Sequence, residues 1–75
     1  MTLQEGCQTI QVFINGATTT VPGGLSVLGL LKSLGIDHEK VAVELDRSIV
    51  RQPLWPETAV QDGASLEIVQ FVGGG

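Results

Sequence analysis

The sequence predicts an α+β fold, a sheet curled over one helix, in the order hairpin, helix, strand, short strand, loop, strand. Three observations carry this reading. Apolar residues alternate with a period of two near both ends and in the middle of the chain, at Thr9–Ile14, at Val41–Leu45 and from Ser65 to Val72. Asn15-Gly16 follows the first of these segments and precedes another β-rich stretch. This dipeptide favours a tight hairpin because both residues tolerate positive φ. One stretch, Val27 to Leu34, spaces its apolar residues as a helix does. With 75 residues the chain forms one domain. A domain of that size buries only roughly 60% of the surface its unfolded form exposes, so it holds a single modest core between two layers.

Each element has its own signal. Residues 1–8 are polar and mixed, and form a loose lead-in. In Thr9-Ile10-Gln11-Val12-Phe13-Ile14, Ile10, Val12 and Ile14 point to one face, Gln11 and Phe13 to the other. Ala17 to Val21 is the return strand, with Ala17, Thr19 and Val21 on the core side, and Pro22-Gly23-Gly24 stops it. Ser26 is a good N-cap for the helix in which Val27, Leu28, Leu30, Leu31 and Leu34 follow at helical spacing. Gly35 stands where a helix-terminating glycine belongs. Gly29 lies inside that helix, at a cost of up to ~1 kcal/mol relative to alanine, and close packing against the sheet accounts for it. Asp37 to Lys40 is a polar turn. Val41, Val43 and Leu45 face inward on the next strand, Asp46-Arg47 turns the chain, and Ser48-Ile49-Val50 is a short strand. Pro53 and Pro56 make Arg51 to Ala59 a loop or a turn of 3₁₀ helix. Asp62-Gly63 is a tight turn before the last strand, which lies parallel to the first in the middle of the sheet.

Charge and composition exclude several functions. The formal net charge is -4 and the pI is near 4.5. Nucleic acid and anionic membranes both call for a basic patch, so neither is an expected partner, and a basic protein surface is. Cys7 is the only cysteine, so no internal disulfide forms, and no Cys/His cluster supports a metal site. No apolar segment reaches the ~18 residues of a membrane span. Met1-Thr2-Leu3-Gln4-Glu5-Gly6 lacks the basic start and apolar run of a signal peptide, and a cytoplasmic location is expected. Catalytic equipment is sparse. His38 falls in a polar turn as an exposed loop residue, and Cys7 has no neighbouring histidine or basic cluster to activate it. Gly23-Gly24 lacks the spacing and the lysine of a phosphate loop. The carboxylates of Asp37, Glu39, Glu44, Asp46, Glu57, Asp62 and Glu67 show no spacing that pairs them for acid–base work; Asp62 shapes its turn. Trp55, between prolines, packs its loop onto the edge of the core.

The run Gly73-Gly74-Gly75 after the apolar Leu66-to-Val72 strand needs another explanation, because glycines cannot pack a core and lose the most entropy on ordering. A carboxylate on Gly75 becomes reactive once another protein activates it, for instance by letting it attack the α-phosphate of ATP. Glycines let such an arm enter an active site without side-chain clash, and three extended residues reach ~10 Å. Outward-facing Val69 and Phe71, with Phe13 on the first strand, form an apolar patch at the root of this arm. The other reading of that patch is that Phe13 and Phe71 cover one another as a cross-strand pair.

From about Gln11 to Gly75 the sequence resembles the ThiS family of sulfur carrier proteins of thiamin biosynthesis. The similarity lies in Val12-Phe13-Ile14 before Asn15-Gly16, the helix opening Ser26-Val27, Val41-Ala42-Val43-Glu44, Ile49-Val50, and above all Trp55, Val60-Gln61-Asp62-Gly63, Phe71-Val72 and the glycine end. The resemblance implies a ubiquitin-like β-grasp fold. It also implies that the Gly75 carboxylate, next to Gly74, is adenylated by a ThiF-like enzyme using ATP and converted to a thiocarboxylate. Sulfur then passes to thiazole synthase (ThiG). Gly73 would be the flexible approach, with Val69, Phe71 and Val72 as looser partner contacts, and the chain itself would be a carrier that binds no cofactor and is no enzyme. The family often has Asn where Asp46 stands, and a Pro-Arg pair where Arg51-Gln52 stands. A MoaD-like carrier for molybdopterin, and a ubiquitin-like modifier or interaction module, are the alternatives.

Overall fold

The fold is built from two hairpins joined through a central strand. In the computed structural model, which describes residues 8–71, strand β1 (Thr9–Ile14) pairs antiparallel with β2 (Ala17–Pro22), from Thr9↔Pro22 to Ile14↔Ala17. Asn15 (φ 52°) and Gly16 (φ 86°) make the two-residue turn between them, the left-handed geometry that matches strand twist. Strand β3 (Val41–Leu45) and β4 (Ser48–Val50) form the second hairpin. Its turn also uses two left-handed residues, Asp46 (φ 49°) and Arg47 (φ 75°). Aspartate and asparagine are the side chains that best tolerate that region, so Asp46 suits the first position of this turn. Strand β5 (Ser65–Gln70) lies in the centre, giving the order β2-β1-β5-β3-β4, parallel to β1 and antiparallel to β3.

Helix α1 (Val27–Ser33) covers one face of this sheet. Ser26 caps it, Oγ accepting the Gly29 N–H at 3.1 Å. Its C-terminus closes in a Schellman arrangement: Gly35, at φ 74°, donates to Lys32 O at 3.1 Å and Ile36 donates to Leu31 O at 3.0 Å. Val12, Val21, Val27, Leu30, Leu31, Val43 and Leu66 form the middle of the core. Trp55 belongs with them. It sits in a 3₁₀ helix, Gln52–Glu57, only 2% exposed, and its Nε1 donates to Val50 O at 2.8 Å. It is therefore a core residue rather than a cover at the core's edge. The following residues bridge to the entry of α1 through Val27 N–H to Thr58 O (2.8 Å) and Val60 N–H to Leu25 O (3.0 Å).

Several sequence expectations are corrected. Ala17 shares the core-side face with Thr19, Val21 and its partner Ile14, but it is exposed rather than buried, because it adjoins the hairpin turn at the edge of the sheet; Thr19 is half-buried and Val21 buried. Pro22 closes β2 instead of stopping it. Strand β5 ends at Gln70, not at Val72. Gln8 is not loose, since its carbonyl accepts from Gly23 N–H at 3.1 Å. Residues 1–7, with Cys7, and residues 72–75 lie outside the described residues. Gly29 does not pack against the sheet: a β-carbon there would meet Leu25 Cδ2 at 3.4 Å and Ser26 Oγ at 3.5 Å, both in the residues leading into its own helix and at ordinary contact distance. Gly29→Ala is therefore expected to stabilise the domain by about 0.5–1 kcal/mol, read as a higher chemical-denaturation midpoint. A lower midpoint would show that the space is needed.

Candidate functional site

The surface that leads to the tail is the outer face of β5 and its neighbours. Strand periodicity turns Leu66 and Ile68 into the core and leaves Glu67, Val69 and, just beyond the strand, Phe71 outward. Val69 is 58% and Phe71 60% exposed. Phe71 stays tied to the sheet, its N–H donating to Lys40 O at 2.8 Å. Register sets Ala42 beside Val69 and Glu44 beside Glu67, and on the next strand Ile49, 73% exposed, beside Glu44. Ala42, Val69 and Phe71 thus form the apolar root of the tail, and Glu44, Glu67 and Ile49 continue the same face.

Phe13 does not join that root. It is 42% exposed and on the neighbouring strand as expected, but its register partner is Ser65. Phe71 lies six residues further along, ~20 Å away at strand rise. Phe13 and Phe71 therefore neither share one patch nor cover one another. Both readings assumed a register that parallel pairing does not give. Ala42, Glu44 and Ile49 were missed for the complementary reason. Alternation marked the β3 pair as outward, yet only register brings them to Val69 and Glu67. Val72, Gly73, Gly74 and Gly75, the remaining expected site residues, lie outside the described residues.

Electrostatically the face is acidic at its middle. Glu44 and Glu67 stand directly opposite on adjacent strands, an arrangement that destabilises a sheet and that a cation on a docking protein would relieve. Three aspartates have structural work. Asp46 Oδ1 accepts from Ser65 N–H at 2.9 Å, Asp62 Oδ1 from Gln11 N–H at 2.9 Å, and Asp37 Oδ1 from Glu39 N–H at 3.1 Å. Each fastens a turn. His38 is half-buried in a 3₁₀ turn, His38–Lys40, where its carbonyl accepts from Gln52 Nε2 at 3.3 Å. Among the described residues no group of three His, Cys, Asp or Glu side chains could hold a metal ion, and no helix is long and apolar enough to cross a membrane.

The sequence that builds this sheet over one helix matches a known family over almost its whole length. The ThiS family model covers residues 7–75. The chain belongs to the ThiS family. The crystal structure of the thiamine biosynthesis protein ThiS from Geobacter metallireducens superposes with a TM-score of 0.77 at 35% identity, covering 88% of this chain and 100% of that one. The fold is accordingly the β-grasp. Among curated relatives, thiazole synthase of Paramagnetospirillum magneticum is 42% identical over 66 residues, and thiazole synthase of Magnetococcus marinus 33% over 66 residues. In each case 88% of this chain aligns with 20% of the relative, so the chain spans about a fifth of their length.

The exposed root gives a direct expectation. Phe71→Ala should weaken binding to a protein that receives the tail by about 1–2 kcal/mol, as an exposed aromatic anchor does. The circular dichroism spectrum should be unchanged, because Phe71 lies outside the core. Unaltered affinity would remove Phe71 from the docking surface, and an unfolded spectrum would place it in the core instead.

Proposed function

We propose that this chain is a sulfur carrier of thiamin biosynthesis that reacts through the C-terminal carboxylate of Gly75. The observation that carries this reading is the ThiS family match, which runs through Gly73, Gly74 and Gly75. In the reaction a carboxylate oxygen attacks the α-phosphorus of ATP in a ThiF-like activating enzyme, and pyrophosphate leaves. Sulfide then attacks the carbonyl carbon of the acyl-adenylate, the acyl–phosphate bond breaks, AMP leaves and a thiocarboxylate remains. This chain's part is to present a carboxylate on residues too small to clash, beyond a rigid strand that a partner can grip at Val69 and Phe71, with Val72 and Gly73 following. ATP belongs to the activating partner, and this chain holds no cofactor and acts as no enzyme.

Thiazole synthase is the proposed acceptor of the sulfur. What supports it is that segments similar to this chain occur inside proteins named thiazole synthase. An acidic outer face, with Glu44 and Glu67 side by side, suits a partner surface that offers a basic residue ringed by apolar ones. Pull-down separates the pathways. The immobilised chain is expected to retain thiazole synthase from a mixture that also holds the large subunit of molybdopterin synthase. Retention of the latter instead would assign a MoaD-like role, and isopeptide-linked lysine conjugates would assign a modifier.

A further inference from the structure

The pairing of β1 with β5 ends on a side chain. Main-chain pairing stops at Ile14↔Leu66, with Asn15 N–H donating to Leu66 O at 2.8 Å. The chain then turns away, Asn15 itself being the first left-handed residue of the hairpin. At the next rung the Asn15 carboxamide takes the place of a peptide group. Ile68 N–H donates to Asn15 Oδ1 at 2.7 Å, and Asn15 Nδ2 donates to Ile68 O at 3.1 Å. One side chain thereby satisfies both backbone groups that Ile68 turns to this flank.

Past Ile68 that flank is open among the described residues. Asp46 N–H donates to Ser65 O and Phe71 N–H to Lys40 O, so odd-numbered residues of β5 bond toward β3 and Gln70 turns its backbone to the side where β1 has already ended. An open cavity of about 230 Å³ lies there, lined by Ile14, Asn15, Ile36, Val41, Ile68 and Gln70. Among the described residues, the last residues of β5 are therefore held along one edge by β3 and on the other by Asn15 alone. The residue type is informative as well. Asparagine, aspartate and glycine all serve the first position of this turn, but asparagine alone offers both a donor and an acceptor.

We infer that Asn15 is a positioning residue for the C-terminal tail: its carboxamide fixes the direction in which β5 delivers the chain past Phe71 into a partner's active site. This rests on the carrier reading above. A strand end bonded on one edge samples more directions, and each misaligned direction lowers the fraction of encounters that seat the terminal carboxylate.

The test uses the full chain with Asn15→Gly and Asn15→Asp. Two readouts apply: amide hydrogen exchange, and ATP–pyrophosphate exchange catalysed by the ThiF-like enzyme. For Asn15→Gly, exchange at Ile68 and Phe71 should accelerate while Val12 and Val21 stay protected. KM for the chain should rise about tenfold with kcat changed by less than about twofold. Asn15→Asp keeps the acceptor for Ile68 N–H and loses the donor, so it should fall between. It also carries the comparison if the glycine variant does not fold. Faster amide exchange with unchanged KM would reduce Asn15 to a purely structural role, and unchanged amide exchange would overturn the latch itself. If the unmodified chain supports no pyrophosphate exchange, the carrier reading fails and the delivery role with it, while acceleration at Ile68 and Phe71 still registers the latch.

Discussion

Replacing Trp55 by alanine is expected to unfold the domain or to lower its melting temperature by more than about 15 °C. Trp55 is 2% exposed and the largest of the fully buried side chains. Removing such a ring costs about 3–5 kcal/mol through lost transfer free energy and the cavity left behind. The bond from its Nε1 to Val50 O goes as well, leaving a part-buried carbonyl without its donor. A domain of this length has a total stability of roughly 4–11 kcal/mol, so one substitution consumes a large share of it. Trp55 also anchors the 3₁₀ helix, from which Thr58 and Val60 reach the entry of α1. The loss should therefore spread to the helix. Thermal denaturation followed by circular dichroism measures it, and a melting temperature lowered by less than about 5 °C would mean that the ring is not the centre of this core.

Deleting Gly74 and Gly75 is expected to do the opposite: complete loss of carrier activity with no change in melting. Among the described residues every strand and the helix lie between Thr9 and Gln70, so the deletion removes no part of them. What it removes is the proposed reacting carboxylate together with its approach. The truncated chain ends on Gly73 and presents a carboxylate about 7 Å short of the original, at ~3.3–3.6 Å per extended residue. Reaction geometry tolerates far less, since reacting atoms must come within about 3–3.5 Å with their orbitals aligned. Retained activity in a thiazole-forming assay would leave a plain interaction module as the better description. Lost activity with lost folding would remove the distinction, so melting is followed on the same sample.

What the sequence revealed and what it hid divide along the range of the interactions. Local signals were legible. Asn15-Gly16 adopts the left-handed turn expected of it, Asp46-Arg47 turns the chain as expected, Ser26 caps α1, and Gly35 ends it. Each depends on backbone chemistry within a few residues. The parallel placement of β1 and β5 also came out as expected, although periodicity alone does not dictate that pairing. Register did not come out. Nothing in Phe13 or Phe71 states that Phe13 lies opposite Ser65, and the expected patch was lost with that one long-range fact. The same limit concealed Asn15. Its φ of 52° follows from the turn, but its bonds to Ile68 span 53 residues. Trp55 was read too shallow because flanking prolines signal a loop, whereas the 3₁₀ helix they form turns the ring inward. For the site, the strand root was visible in the alternation of Leu66 to Phe71, while Ala42, Glu44 and Ile49 required the sheet.

One measurement bears on the central claim most directly. The chain is incubated with ATP, a ThiF-like activating enzyme and a sulfur donor, and its intact mass is recorded. Transfer of sulfur to Gly75 should appear as the exchange of one oxygen for one sulfur, localised to the C-terminal peptide and absent when ATP is omitted. An unchanged mass under conditions that charge another member of the ThiS family would contradict it.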